Sequence, residues 1–222
     1  MKRNIRITLA LCLLWVVIVL LITWNRYADN NETAPDSAGT ATPMTEEALR
    51  EIGARVYPSA VALEPFTLQT HEGERFTGEH FKGQWDLVFF GFTNCPDICP
   101  LTMRELETFY RDLTGPLAEQ TRVIMVSVDP FRDDAEQVGE YVQGFHPDFL
   151  GLRGELDAVS NLAGQLYVAH SDPPPSRSGD YLIDHSGNIL LINPDGDYHG
   201  FMESGIRSEN IDQAFRAILA DW

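Results

Sequence analysis

Leu87, Val88, Phe89, Phe90, Gly91, Phe92, Thr93, Asn94, Cys95, Pro96, Asp97, Ile98, Cys99, Pro100 is the stretch from which the fold can be read. It opens on an uninterrupted apolar run, the pattern of a strand covered on both faces. Gly91 ends the run. Two cysteines follow, four positions apart, each directly before a proline. A helical pattern then starts at once: Met103, Leu106, Tyr110 and Leu113 share one face until Gly115 and Pro116 stop it. A buried strand therefore delivers two sulfurs to the start of a helix, where the dipole and free N–H groups favour thiolate over thiol.

The downstream chain supplies the neighbours of that unit. Residues 121–128 read as a second buried strand, closed by Asp129 and Pro130, and residues 135–145 as a helix capped by Asp133 or Asp134. A short strand over 149–152, a helix over 155–166 and a proline-rich loop over 173–179 follow. Residues 180–185 and 189–193, around Ser186, Gly187 and Asn188, read as a β-hairpin; 194–197 is a further turn and 210–219 a closing helix. Upstream, 61–68 reads as an edge strand broken by Pro65, 71–74 as a turn, 75–77 as a return strand and 46–56 as a short helix. Parallel strands joined by helical crossovers, then a hairpin and a terminal helix, make a thioredoxin-like α/β plan: a central mixed sheet flanked by helices.

The N-terminus is a separate object. Residues 7–24 carry no charge and as a helix would run about 27 Å at about 1.5 Å per residue, near the thickness of a bilayer core. Lys2, Arg3 and Arg6 precede the run, while Asp29, Glu32 and Asp36 follow it. The positive-inside rule makes 1–6 a cytoplasmic tip, 7–24 a transmembrane anchor, 25–56 a flexible tether and 57–222 the exported domain. A cleaved signal peptide fits less well: the run is longer than an h-region, and no small-x-small site directly follows it. The expected location is the bacterial inner membrane, single-pass, with the domain periplasmic. With 33 acids against 16 bases, a formal net charge of −17 excludes nucleic acid, whose phosphates need Lys and Arg. The length of 222 residues suits one core plus appendages.

Outside the cytoplasm, Cys95 and Cys99 can be a disulfide, a redox pair or part of a metal site. Three intervening residues, rather than the two of thioredoxin-type exchange, open room for an ion without forbidding a disulfide. Soft sulfur suits Cu(I) and Zn, and an added imidazole suits copper in both oxidation states; a four-ligand zinc site is less natural with two cysteines. The candidates for a third ligand are His71, His80, His146, His170, His185 and His199. His185 has the best case, on a hairpin entered from a buried strand, with Asp184 beside it. A peroxidase reading is weakened by the proline after each cysteine.

Three blocks carry a resemblance. Residues 91–100, residues 128–133 (Val, Asp, Pro, Phe, Arg, Asp) and residues 180–187 (Asp, Tyr, Leu, Ile, Asp, His, Ser, Gly) resemble, in order, the signatures of the Sco/SenC family of membrane-anchored copper-binding assembly proteins. The similarity covers about 58–220. Phe131 and Asp134 depart from the family's usual Glu and Thr. The resemblance implies copper, Cu(I) or Cu(II), held by Cys95, Cys99 and His185. It also implies help in assembling the copper-A centre of cytochrome c oxidase, so that the partners are the oxidase's copper-A subunit, other copper chaperones or thioredoxin-like reductants. On that view the protein is a metallochaperone rather than an enzyme. The alternative is a thiol–disulfide oxidoreductase reducing acceptor cysteines, and the metal-free pair is expected to close a disulfide.

Overall fold

The computed structural model describes Trp15, residues 43–174 and residues 181–222. The cytoplasmic tip, the anchor over 7–24 apart from Trp15 and most of the tether lie outside the described residues, as do 175–179 of the expected proline-rich loop and Asp180 of the expected hairpin. Among the described residues no helix is long and apolar enough to cross a membrane.

The compact unit Thr42–Trp222 opens with α1 (Glu46–Glu51), whose N-cap Thr45 accepts a hydrogen bond from the Ala48 amide. Next come β1 (Ala54–Val61), β2 (Leu68–Thr70) and β3 (Arg75–Phe76), followed by a 3-10 turn over Gly78–Phe81. The central unit is β4 (Trp85–Gly91), α2 (Ile98–Asp112), α3 (Pro116–Glu119), β5 (Thr121–Ser127), α4 (Ala135–Gln143), β6 (Leu150–Arg153) and α5 (Leu156–Gln165). The chain closes with β7 (Ile189–Ile192), β8 (Tyr198–Met202) and α6 (Ser208–Asp221).

All eight strands form one mixed sheet, ordered β1-β8-β7-β4-β5-β6-β2-β3. β4 pairs in parallel with β5, and β5 with β6, each through a helical crossover; β7 lies antiparallel on the other side of β4. Every residue of β4 is buried, as its unbroken apolar run requires of a central strand. The exception in type is Asp86, fully buried and paired with Arg122 of β5 through Nε to Oδ1 at 2.6 Å. The helices close the core with aromatic edges: Phe109 of α2 meets Phe215 of α6 at 5.5 Å between centroids, and Phe215 meets Trp85 at 6.0 Å.

Three expectations fail for local reasons. Residues 46–56 are not one helix: α1 ends at Glu51, and β1 pairs with β8 from Ala54 onward. The strand expected over 61–68 is not formed, since β1 stops at Val61. There Pro65 has no amide to give a ladder, and the Glu64 amide donates to the Gln165 side chain at 2.6 Å instead. The hairpin of 180–185 with 189–193 is replaced by one of β7 with β8. Its turn is the 193–197 segment: Asn193 Oδ1 accepts from the amides of Asp195 and Asp197 at 3.1 and 2.9 Å, and Gly196 takes φ +87°, open to glycine at no steric cost.

Candidate metal centre

Sheet topology brings the three blocks to one place. β4 and β5 are parallel and end in register at Gly91 and Ser127, so the loops that follow them leave the sheet at the same end. β7 is antiparallel to β4, with Ile189 opposite Phe89, so the residues just before Ile189 arrive at that end too. Cys95 hangs in the loop after β4, its amide bonded to the Phe92 carbonyl at 3.2 Å. Cys99 lies in the first turn of α2, fully buried.

Ligand atoms of Cys95, Cys99 and His185 all lie within 4.8 Å of one another, the one such group of three among the described residues. Cys99 Sγ is 3.3 Å from His185 Nε2. His185 Nδ1 donates to the Ser186 carbonyl at 3.1 Å; a carbonyl only accepts, so Nδ1 carries the proton and the Nε2 lone pair faces the sulfur. Phe89 and Phe92 hold the ring edge-on, each centroid 5.8 Å away. Gly91 leaves the space the sulfur occupies: a Cβ there would stand 2.7 Å from the Phe89 ring and 3.0 Å from Cys99 Sγ.

The second block holds the first and third in position. Buried Asp133 accepts from the Thr93 amide at 3.0 Å, the Thr93 hydroxyl at 2.6 Å and the Ser127 hydroxyl at 2.6 Å, pinning the loop that carries Cys95. Buried Asp129 pairs with Arg132 and accepts from the Tyr181 hydroxyl at 2.7 Å; the Arg132 guanidinium lies 3.5 Å over the Tyr181 ring. Tyr181 is thereby fixed four residues before His185. Helix α4 is capped by Asp134, which forms a reciprocal box with Gln137. Asp133, read from sequence as an alternative cap, serves the cysteine loop instead. The place of that aspartate in the loop after the strand, two residues past Phe131, was the available signal.

The electrostatics oppose negative charge here. Burial pushes the Cys99 thiol well above its usual range, and Cys95 and Asp133 push further, against a lowering bond from the Phe92 backbone. The helix start therefore does not win at Cys99: desolvation outweighs the dipole. Asp133 is raised by its own burial, and Tyr141 by burial and by Cys99, Cys95 and Asp133. Burial lowers His185, more than the Ser186 bond and Asp184 raise it, which keeps the imidazole neutral and able to donate a lone pair. The disulfide expected of the metal-free pair is not formed in this structure; both cysteines are free. Two thiols and a neutral imidazole, shielded from water on the Cys99 side and half-exposed at Cys95, are a soft donor set that suits copper.

The structure brings Cys95, Cys99 and His185 together; His170 lies beside His185 but outside that group, and the remaining histidines lie elsewhere. His185 lies in a one-pair antiparallel bridge with His170, not on the expected hairpin. Ring nitrogens of His71, His80 and His146 accept backbone amides of Gly151, Thr77 and Asp148 at 3.1, 3.0 and 3.2 Å. His199 packs between Trp85 and Trp222.

The SCO1/SenC family model matches residues 56–220. Protein SCO2 homolog, mitochondrial, of Mus musculus is 38% identical over 178 residues, which is 78% of this chain and 66% of that relative's length. The chain thus spans just under two thirds of that relative. Copper-bound ScoI of Arabidopsis thaliana superposes with a TM-score of 0.66 at 30% identity, over 72% of this chain and 98% of that one. Copper-bound Sco1 of yeast gives 0.68 at 29% identity, over 74% and 91%.

Proposed function

The chain belongs to the SCO1/SenC family, and from that premise we propose that it is a copper metallochaperone. It carries one copper ion as cargo on Cys95, Cys99 and His185 and helps to assemble the copper-A centre of cytochrome c oxidase. The anchor over 7–24 holds it in a bacterial inner membrane, and the tether lets the periplasmic domain reach an acceptor in the same membrane. The observation that carries this reading is the convergence of three soft donors within 4.8 Å. It is supported by the copper in the related Arabidopsis thaliana and yeast proteins.

The residues divide the work. Cys99, buried and held as a thiol without metal, releases its proton when a cation arrives, so loading is coupled to proton release and weakens as pH falls. His185 offers Nε2 at once, because its Nδ1 proton is already committed to Ser186. Two thiolates satisfy Cu(I); the imidazole adds most for Cu(II). Cys95 is the half-exposed sulfur of the pair, the one an acceptor thiolate reaches first, so that copper leaves by stepwise ligand exchange with no bare ion formed. The thiol pair also supports a second reading, reduction of the acceptor's disulfide, because both cysteines are free.

The test is to mix the copper-loaded full chain with an acceptor domain bearing reduced copper-A cysteines. The metallochaperone reading expects one copper per chain to move to the acceptor, and no delivery by Cys99→Ser. An acceptor that gains no copper, but whose disulfide is reduced by the metal-free chain, would replace it with the second reading.

A further inference from the structure

Helix α5 does not run straight into its loop. Tyr167 takes φ +55°, the one non-glycine residue with positive φ among the described residues, and such a left-handed residue turns the chain sharply. The next residues then lie along the segment that carries His185. The Ser171 amide donates to the Asp184 carbonyl at 2.7 Å, and the Ser186 amide to the Ala169 carbonyl at 2.8 Å. These two bonds flank the pair His170 and His185, which face each other in an antiparallel bridge.

Bonds on either side, and none between the two residues themselves, define the close type of antiparallel pair. Its Cα atoms approach to about 4.5 Å, and both side chains leave on the same face. His185 uses that face to meet Cys99 Sγ, so the His170 imidazole starts beside it. The two rings are near enough for a charge on His170 to oppose one on His185. His170 is half-buried, and among the described residues the one hydrogen bond of its ring is a long contact of Nδ1 with the Ser171 carbonyl at 3.4 Å. Unlike His71, His80 and His146, it has no ring nitrogen occupied by a backbone amide among the described residues.

We propose that His170 is a fourth, oxidation-state-dependent copper ligand, engaged with Cu(II) and released with Cu(I). This rests on the copper reading above. Three donors from Cys95, Cys99 and His185 suit Cu(I), whereas Cu(II) favours a tetragonal set of four with nitrogen among them. His170 is not within the 4.8 Å group, so it reaches the ion by rotating its side chain from the rim. That motion costs only the weak Ser171 contact. A ligand that joins and leaves with oxidation state makes the cuprous form the one ready for transfer.

The experiment counts imidazole nitrogens coupled to Cu(II) by pulsed electron paramagnetic resonance on the full chain, with Cu(I) and Cu(II) affinities measured by chelator competition. Two coupled imidazoles are expected in the unaltered chain and in the exposed-site control His80→Gln. One is expected in His170→Phe and His170→Gln, with Cu(II) binding weakened about tenfold or more and Cu(I) binding unchanged. A single coupled imidazole in the unaltered chain, unaffected by His170→Phe, would overturn the proposal. So would an equal loss of Cu(I) and Cu(II) binding in both His170 variants, which is what a merely structural role predicts. An unaltered chain that takes up no copper overturns the copper reading itself, and this inference with it.

Discussion

At one end of β4, His185 packs edge-on to Phe89 and Phe92, with centroids 5.8 Å away. At the other end, His199 of β8 packs edge-on to Trp85 and Trp222 at 5.2 and 5.3 Å. Burial lowers the pKa of both, so both rings stay neutral. The difference lies in what the nitrogens meet. His185 has Nδ1 bonded to Ser186 and Nε2 aimed at a sulfur. His199 has a buried Nδ1 with no hydrogen-bond partner among the described residues. An aromatic cage around a neutral imidazole is therefore not enough to make a ligand. The ligand is made by a loop that fixes the tautomer and by sulfurs delivered from elsewhere in the sheet.

The largest expected effect breaks the pair of ends apart. Cys95→Ser or Cys99→Ser should lose stoichiometric copper after dialysis, while His199→Gln should keep it; elemental analysis of copper per chain decides. Next, His185→Ala should weaken Cu(II) by about 100-fold, with a much smaller loss for Cu(I), because thiolates alone satisfy the softer ion. Chelator competition in each oxidation state measures the split.

Much of this site was legible in residues alone. The apolar run 87–90, the stop at Gly91 and the helical period after Cys99 identify β4 and α2, because a buried parallel strand and an amphipathic helix leave opposite patterns. His185 was selected from six for a reason that did not hold: Ser186, Gly187 and Asn188 carry turn chemistry as strong as that of 193–197. Choosing between two adjacent turn signals depends on which strand pairs with β4, a long-range contact. The same gap hid β8 and His199, since a strand whose residues alternate buried and half-buried and begins straight after a turn has a weak period. Asp133 escaped because a buried carboxylate and a helix cap look alike in sequence; only the positions of Thr93 and Ser127 separate them.

Two smaller effects sharpen the comparison. Gly91→Ala at the sulfur end should push Cys99 and the Phe89 ring apart, costing about 1–3 kcal/mol in urea unfolding and weakening copper binding as well. At the far end, burial pushes Asp86 up to about 6 against the pull of Arg122. Its folded-state pKa is thus above the unfolded one, so its contribution to stability is full below about pH 4 and is lost as pH rises through about 6. The melting temperature of the unaltered chain should fall across that window relative to Asp86→Asn, followed by circular dichroism. Copper content at neutral pH should be the same in both.

The central claim is that Cys95, Cys99 and His185 together hold the metal. Copper-edge X-ray absorption of the loaded full chain tests it most directly. The account predicts two sulfur neighbours and an imidazole, with the imidazole lost in His185→Ala and the sulfurs lost in the double Cys95→Ser, Cys99→Ser variant. A copper ion surrounded by oxygen and nitrogen alone, unchanged by those substitutions, would contradict it.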